Sequence, residues 1–330
     1  MMDDLPKRHV RLGPGPEFDR IRRAIAGGRE LPQAVRVGPG DDAAVIEGGW
    51  VISTDMSVED VHFRRAWLTD EEIGFRAASA ALSDLAAMAA TPTGLFASVA
   101  LPTDDSVNWD ALQAGIAEAA DSVGAALLGG DLARSPGPLV LDITVLGCTS
   151  WPVLRNGAEP SDEVWVTGDL GASAAAVQAW ARGEEPPKAA RDAFARPEPR
   201  VKAAQCLVEH DLIDALMDIS DGLAGDASHM ASASGAQIIL DADAIPVAPI
   251  AIEILGPEQA LEAALYGGED YQLLFVTDPG VVDVEYFQRR HGLKLTRVGR
   301  VEAGEGVLLE RGGERLALKR GGFDHFGGEI

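Results

Sequence analysis

The strand and helix patterns of this 330-residue chain stop at residues 151–160 and restart beyond them. Pro152, Gly157 and Pro160 lie within this segment, a composition typical of a link between domains. A chain of this length is too long for one average domain and comfortable for two. We therefore predict an N-terminal domain over residues 1–150 and a C-terminal domain over residues 151–330.

The first half of the chain mixes helical and strand periodicity. Thr69 and Glu72 have the spacing of a capping box, which predicts a helix that begins at about Asp70 and ends at Thr91-Pro92. The other predicted elements are a helix over 18–26, a hairpin of strands 43–46 and 50–54 joined by Glu47-Gly48-Gly49, a strand over 95–101, a helix over 109–123 capped by Gly124, a short buried strand over 125–128 and a half-exposed strand over 139–146.

The second half also mixes the two patterns. It predicts strands over 163–167, 215–219, 236–240 and 271–277, a helix over 172–181, and a helix that Ser220 caps and that runs to Gly235. Because strands and helices are mixed and the first half contains an antiparallel hairpin, we predict two α+β or α/β domains.

The charge of the chain limits its partners. Asp and Glu number 52 against 28 basic residues, a net charge of -24. Such a surface repels DNA, RNA and anionic lipid, so we expect no nucleic-acid and no membrane partner. Two widely separated cysteines fit a reducing compartment, and the charged N-terminus lacks the apolar region of a signal peptide. We therefore expect a cytoplasmic protein.

Acidic residues recur at predicted strand ends and helix starts, several of them beside glycines. They are Asp41, Asp42, Asp55, Asp131, Asp218, Asp221, Glu269 and Asp270, and Asp84 is added from the middle of a helix with apolar neighbours. Strand ends can converge on one site, where clustered carboxylates repel one another unless cations lie between them. Mg²⁺ prefers oxygen ligands and commonly bridges carboxylates to phosphates, while glycines let backbone N–H groups approach phosphate oxygens. The pattern indicates a magnesium–phosphate site.

Each of these signals also has an ordinary structural explanation. A Gly-Asp pair is commonly a turn, and Ser220 before Asp221 is commonly an N-cap. Asp84 is harder to explain in this way, because an unpaired carboxylate on a semi-apolar helix face is costly. The chain has no GxxxxGK[ST] segment and no HRD…N pair, so ATP would have to be bound through metals and arginines.

Eight segments carry a family resemblance when they are taken in order. They are GPGDDAAV (38–45), STDMSVEDVHF (53–63), ALSDLAAM (81–88), LLGGDLARS (127–135), RNGAEPSDEVWVTGDLG (155–171), DISDGL (218–223), YGGEDYQLLF (266–275) and GFDHF (322–326). Over nearly the whole chain they resemble the thiamine-monophosphate kinase family of the aminoimidazole ribonucleotide synthetase-like superfamily. The resemblance implies an N-terminal sheet that pairs with its twin in a homodimer and a C-terminal α/β domain. It also implies transfer of the ATP γ-phosphoryl group to thiamine monophosphate, which gives thiamine diphosphate and ADP.

The resemblance further implies residue roles. The implied Mg²⁺ ligands are Asp42, Ser53, Thr54, Asp55, Asp84, Asp131, Asp218 and Asp221; the implied ATP contacts are Gly130, Arg155 and Ser220; and the implied thiamine-monophosphate contacts are His62, Glu269 and Phe323. The sequence departs from the family at Val123, where relatives often have tyrosine. We also expect the segment 321–326 to pack over the acceptor site, with Phe323 against the cationic thiazolium ring.

Sister enzymes and a simpler function remain as alternatives. Selenophosphate synthetase would need a reactive Cys near its N-terminus, and residues 1–40 contain none. The hydrogenase-maturation relative would end in Cys, whereas this sequence ends Gly-Gly-Glu-Ile. The purine-pathway cyclo-ligase has a DGVGTK-like segment where residues 55–60 read DMSVED. A protein that only binds divalent cations would explain the charge but not the position of the aspartates.

Overall fold

The structure is a computed structural model that describes residues 10–26, 30–104 and 106–318. Phe323 and the segment 321–326 lie outside the described residues, so their predicted role stays a prediction.

The described residues form helices and strands in mixed order. The helices are α1 (Pro16–Ala26), α2 (Asp70–Ala87), α3 (Trp109–Ser122), α4 (Ala172–Ala181), α5 (Lys188–Ala195), α6 (Val201–Glu209), α7 (Leu223–Ser234), α8 (Pro249–Leu255), α9 (Pro257–Tyr266) and α10 (Val284–His291). The strands are β1 (Val35–Val37), β2 (Ala44–Ile46), β3 (Trp50–Val58), β4 (Thr91–Pro102), β5 (Ala126–Ser135), β6 (Val140–Cys148), β7 (Glu163–Thr167), β8 (Ala215–Asp218), β9 (Gln237–Asp241), β10 (Leu273–Thr277), β11 (Leu295–Glu302), β12 (Gly306–Arg311) and β13 (Glu314–Ala317).

The first half forms a six-stranded sheet in the order β1-β2-β3-β6-β4-β5, in which only β4 and β5 are parallel. One face is covered by α2, and the alternation along β6 buries Leu141, Ile143 and Val145 there. The opposite face carries Met56 and Phe96, which are 53% and 40% exposed. Successive residues of a strand therefore point either to the covered core or to an open face.

Helix α2 is buried nearly all round, because it packs on the sheet, on α3, and on α6 and β8 of the second half. Its contact with α3 is close enough to require glycine on both helices. A Cβ at Gly74 would lie 2.0 Å from the carbonyl oxygen of Leu112, and one at Gly115 would lie 1.9 Å from that of Glu71. Residues on α2 can therefore reach elements of both halves.

The second half forms a seven-stranded sheet in the order β13-β12-β9-β11-β7-β10-β8. Its neighbouring strands are antiparallel except β9 and β12. Strands β8 and β10 are buried throughout, which explains their continuous apolar sequences. The prediction of mixed α and β structure in two sheets is confirmed, and no helix among the described residues is long and apolar enough to cross a bilayer.

Several local predictions are confirmed. Both capping-box hydrogen bonds between Thr69 and Glu72 are present, and α2 begins at Asp70. Gly124 follows α3 with φ +74°, the left-handed conformation expected after a helix. The hairpin of β2 and β3, the strand β7 and the helix α4 also lie where the patterns predicted them.

Four local predictions are wrong. Helix α2 ends at Ala87, and Thr91-Pro92 begin β4 instead. Asp55 does not end a strand, because β3 continues to Val58. The predicted short buried strand over 125–128 is the start of the ten-residue β5, which is exposed because it lies at the sheet edge. Ser220 does not cap α7, whose N-cap is Gly222.

Candidate active site

Three carboxylates from distant parts of the chain meet at the junction of the two halves. Asp42 precedes β2, Asp84 lies in the last turn of α2, and Asp218 ends β8. One carboxylate oxygen from each lies within 4.8 Å of the others. We call these three residues the acidic cluster. Oxygen atoms at such spacing form a suitable ligand set for a hard divalent cation.

Two serine hydroxyls orient the acidic cluster. Ser53 Oγ donates to Asp84 Oδ2 (2.5 Å) and also lies 3.0 Å from the carbonyl oxygen of Asp42. Ser83 Oγ donates to Asp218 Oδ2 (2.6 Å). Among the described residues Asp42 Oδ2 is buried without a hydrogen-bond partner. An orphaned buried carboxylate oxygen is costly, and a bound cation would satisfy it.

The negative charge of the acidic cluster is larger than the positive charge close to it. Burial raises the pKa of Asp84 well above its usual value, and the charges of Asp218 and Asp55 raise it further. Burial and the charge of Asp42 raise the pKa of Asp218 to about 7. Burial and the charge of Glu269 raise the pKa of Asp55 to about 6. Carboxylates with raised pKa values in a cleft are typical of functional sites.

Arg155 provides a buried cation beside the cluster. Its Nη2 donates to Asp42 Oδ1 (2.6 Å), and its Nε lies 3.5 Å from Asp41 Oδ1. Burial and the charge of Asp42 nevertheless raise the pKa of Asp41 to about 7, although Arg155 opposes the shift. Arg155 thus holds Asp41 and Asp42 in place, and its predicted contact with ATP stays a prediction.

The acidic cluster borders a cavity of ≈ 430 Å³ between the two halves. Its lining includes Asp55, Asp84, Asp218 and Asp221 on one side, and His62, Arg76, Glu269, Tyr271, Trp67 and Phe194 elsewhere. The cavity therefore combines acidic groups, a buried arginine and aromatic rings. A small ligand with a phosphate and a flat ring could contact all of these at once.

The predicted acceptor contacts His62 and Glu269 are held by their own loops. His62 Nδ1 accepts a hydrogen bond from the backbone N–H of Val58 (3.0 Å). Glu269 has φ +64° and Tyr271 has φ +47°, a left-handed conformation that is costly for non-glycine residues. Between them, Asp270 accepts a hydrogen bond from the backbone N–H of Gly171 (2.8 Å). The loop of residues 269–271 is thus held by hydrogen bonds to Gly171 and to Ser220.

The structure separates some residues that the resemblance groups together. The side chain of Thr54 is on the open face of the sheet, where its Oγ1 donates to Asp142 Oδ1 (2.7 Å). Asp131 is exposed on β5, and Ser98, its register partner, is also paired with Asp142 on that open face. Ser53 and Asp55 instead point to the covered face and the cluster. The predicted metal ligands are therefore divided between two faces of one sheet.

Two further predicted nucleotide contacts have clear structural roles. A Cβ at Gly130 would lie 1.8 Å from the carbonyl oxygen of Ala97, so glycine is required there by the packing of β5 on β4. The carbonyl oxygen of Ser220 accepts a hydrogen bond from the backbone N–H of Glu269 (2.8 Å). These roles neither require nor prevent contact with ATP.

Sequence reasoning missed several residues of the site. Asp226 accepts a hydrogen bond from the backbone N–H of Asp221 (3.1 Å). Side-chain ligand atoms of Asp221, Asp226 and His229 also lie within 4.8 Å of one another and form a second closely spaced group. Arg76 and Tyr271 contact Glu269. Tyr271 is part of the segment YGGEDYQLLF, which was a usable signal, whereas Arg76 looks like an ordinary helical arginine in the sequence.

Comparison with known proteins agrees with this arrangement. The family described as AIR synthase related protein, N-terminal domain, matches residues 40–149. The family described as AIR synthase related protein, C-terminal domain, matches residues 159–310. Asp42 and Asp84 lie in the first match and Asp218 in the second, so the acidic cluster joins the two matched regions.

Individual relatives show which of the AIR synthase related proteins this chain resembles. The thiamine-monophosphate kinase of Rhodopirellula baltica is 35% identical over 84% of this chain and 87% of its own. The thiamine-monophosphate kinase of Escherichia coli K12 is 33% identical over 94% of this chain and 98% of its own. A solved structure of AaThiL complexed with AMPPCP and TMP has a TM-score of 0.78 and 29% identity, and the match covers 94% of this chain and 96% of that one. The chain belongs to the thiamine-monophosphate kinase family of the AIR synthase related proteins.

Proposed function

We propose that this protein transfers the γ-phosphoryl group of ATP to the phosphate of thiamine monophosphate, which gives thiamine diphosphate and ADP. The observation that carries the proposal is the acidic cluster at the edge of a cavity that also contains His62, Glu269 and aromatic rings. The curated relatives are named for this activity, and AaThiL was solved with AMPPCP and TMP.

The residues present fit a divalent cation. The carboxylates are closely spaced, are hard oxygen ligands, and include the orphaned Asp42 Oδ2. Asp42, Asp84 and Asp218 would hold Mg²⁺, with Asp55 and Asp221 beside them. When bound, Mg²⁺ neutralises phosphate charge and aligns the transferred group. Ser53 Oγ contacts the cluster through Asp84, whereas Thr54 contacts Asp142 and Asp131 is exposed on β5. The ligand roles of all three residues remain part of the proposal.

The residues of this chain position the reactants. In the reaction an oxygen of the acceptor phosphate forms a bond to the γ-phosphorus, and the bond from that phosphorus to the bridging oxygen of ADP breaks. The acceptor phosphate is already ionised near neutral pH, so no protein nucleophile is needed and positioning supplies most of the catalysis. His62 and Glu269 would orient the acceptor, while Arg155, Ser220 and Gly130 would contact ATP.

The N-terminal sheet would also form the contact with a second copy of the chain. Its open face exposes Met56 and Phe96, and its edge strand β5 exposes Leu128 and Leu132, each between 40% and 53% exposed. Exposed apolar side chains on an uncovered sheet are typical of an interaction surface. In this arrangement residues 1–150 form the homodimer and part of the ATP and Mg²⁺ site. Residues 151–330 add Arg155, Asp218 and Ser220 to that site and complete the substrate site.

The proposal is tested by incubating the protein with ATP, Mg²⁺ and thiamine monophosphate and separating the products by chromatography. We expect thiamine diphosphate and ADP in equal amounts, and no product when a chelator replaces Mg²⁺. Unphosphorylated thiamine should not be accepted, because a site built around a charged group discriminates strongly against its absence. ATP binding without any turnover of thiamine monophosphate would contradict the proposal. A protein that only binds cations should show no affinity for ATP in calorimetry.

A further inference from the structure

The side chain of Arg76 is buried in the wall of the cavity, on α2, and the residue is only 4% exposed. Its Nη2 lies 2.5 Å from Glu269 Oε2. Its Nη1 donates to the carbonyl oxygen of Phe194 (2.6 Å), and the guanidinium carbon lies 3.7 Å from the centre of the Phe194 ring. The carbonyl oxygen of His62 lies 3.5 Å from Nη2. A rigid, planar guanidinium can satisfy several such partners at once, which an ammonium group cannot.

These partners belong to three different segments of the cavity wall. His62 is in the loop after β3, Phe194 is in α5, and Glu269 is in the loop between α9 and β10. The first segment belongs to the first half of the chain and the other two to the second. One side chain therefore fixes the relative positions of three groups that face the same cavity.

Glu269 depends on this contact more than an ordinary surface carboxylate would. It lies on a left-handed backbone and close enough to Asp55 for the two charges to repel each other. Tyr271 donates its hydroxyl to Glu269 Oε2 (2.6 Å), so Arg76 and Tyr271 both contact the same oxygen. Among the residues that the structure describes, Glu269 Oε1 accepts no hydrogen bond, so it can accept one from a ligand.

We infer that Arg76 is a positioning residue for the acceptor: braced on the buried Phe194, it holds the Glu269 carboxylate so that this carboxylate recognises a cationic or N–H-bearing ring. The inference rests on the proposed function, since it concerns the acceptor part of that same site. An oriented carboxylate attracts such a ring electrostatically and accepts its N–H groups. Arg76 acts through Glu269 and does not itself contact the reacting atoms.

The test compares Arg76→Met with a matched control. Arg196→Met removes a similar arginine, which pairs with Glu71 and Glu118 and lies 4.1 Å over the Phe75 ring. Both arginines are at the contact between α2 and α5, but Arg196 and its partners do not line the cavity. The Arg196 side chain is more exposed than that of Arg76 (29% against 5%), so the two variants are compared by their KM values and not by their stability.

For Arg76→Met we expect the KM for thiamine monophosphate to rise roughly tenfold or more, because a hydrogen bond to a charged group is lost from the site. The KM for ATP should stay within about twofold, since only binding of the acceptor is affected. Arg76→Lys keeps the charge without the fork, so its KM should lie between wild type and Arg76→Met. Arg196→Met should leave both KM values at wild-type levels.

Two results would overturn the inference: an unchanged KM for thiamine monophosphate in Arg76→Met, or an equal rise in Arg196→Met. If Arg76→Met does not fold, Arg76→Lys and the double variant Arg76→Lys/Glu269→Gln provide the same test. If Arg76 acts through Glu269, the rise in KM in the double variant should be smaller than the product of the rises in Arg76→Lys and Glu269→Gln measured singly. A rise equal to that product would count against the inference. The wild type is assayed first. If the wild type forms no thiamine diphosphate, the proposed function fails. If the wild type is active but Arg76→Met has an unchanged KM for thiamine monophosphate, only the inference about Arg76 fails.

Discussion

Two groups of carboxylates in this protein have opposite environments. On the sheet of the second half, Glu302 and Glu310 pair with Arg300 and Arg315 at distances between 2.7 and 3.5 Å. Hydrogen bonds from Arg315 and Arg300 lower the pKa values of Glu302 and Glu310. We call these four residues the surface ladder. In the acidic cluster burial raises the pKa values of Asp84 and Asp218 instead, and in the described part of the chain Arg155 is the basic residue that pairs with the cluster.

The contrast shows which acidic residues matter for function. The net charge of -24 belongs to the whole chain, but surface carboxylates such as Glu302 and Glu310 are paired with arginines. The cluster is different because its carboxylates are removed from water without enough positive charge to balance them. Natural proteins retain such an arrangement where a bound cation supplies the missing charge, so the cluster should respond to Mg²⁺ and the surface ladder should not.

The largest expected effect comes from neutralising the centre of the cluster. Asp84→Asn should lower kcat by about 10³-fold, because a charge that stabilises the transition state through the metal site is removed. The fold should be retained, since the change relieves repulsion among buried carboxylates. Steady-state assays with ATP and thiamine monophosphate, with circular dichroism as the control for folding, measure both. Near wild-type turnover would remove Asp84 from the site.

Asp84→Asn should not destabilise the protein, but removal of Arg155, the cation next to the acidic cluster, should. Arg155→Met leaves Asp41 and Asp42 buried without a positive partner and should destabilise the protein by about 3 kcal/mol. Urea unfolding of the metal-free protein measures this loss. Mg²⁺ should recover part of it by supplying charge at the same place. A variant as stable as wild type would show that the carboxylates do not need Arg155.

The raised pKa values predict how metal-free stability changes with pH. Burial raises the pKa of Asp41, Asp218 and Asp221 to about 7 from the ordinary value of 3.8. Between these values the folded protein binds more protons than the unfolded chain, so its stability falls as pH rises through about 7. With a chelator and constant ionic strength, Tm should be several degrees higher at pH 5 than at pH 8. Mg²⁺ should reduce the difference, and a Tm that rises with pH would contradict the account.

The smallest effect is expected in the surface ladder. Glu302→Gln removes exposed pairs with Arg300 and Arg315, and such pairs contribute little in water. Activity should stay within about twofold of wild type and Tm within about two degrees. Differential scanning fluorimetry and the product assay measure the two quantities. A loss comparable to that of Asp84→Asn would remove the distinction between the two groups of carboxylates.

The sequence predicted the parts of the fold that depend on local patterns. The capping box of Thr69 and Glu72 and the left-handed Gly124 are local, and both are confirmed. The length and exposure of β5 depend on its place at the sheet edge, which its Leu-Leu-Gly-Gly sequence does not show. Ser220 precedes a helix, as an N-cap does, but its segment is taken up by the contact with the Glu269 loop.

The candidate site was predictable in its acidic part and not in its support. Asp42, Asp84 and Asp218 stood out because glycines or apolar residues surround them, and the structure brings them together. Arg76 gave no such signal, because its partners Phe194 and Glu269 lie 118 or more positions away and only the folded chain brings them together. The division of Thr54 and Asp55 between two faces of the sheet follows from strand alternation and could have been predicted once β3 was known to continue through both.

The central claim is that the acidic cluster is a divalent-cation site. Its most direct test is anomalous diffraction from crystals grown with Mn²⁺ and a non-hydrolysable ATP analogue, since Mn²⁺ also prefers oxygen ligands and can be located by its own signal. The account predicts an anomalous peak within coordination distance of carboxylate oxygens of Asp42, Asp84 and Asp218, and its loss from that position in Asp84→Asn. A bound nucleotide with no peak at these three residues would contradict it.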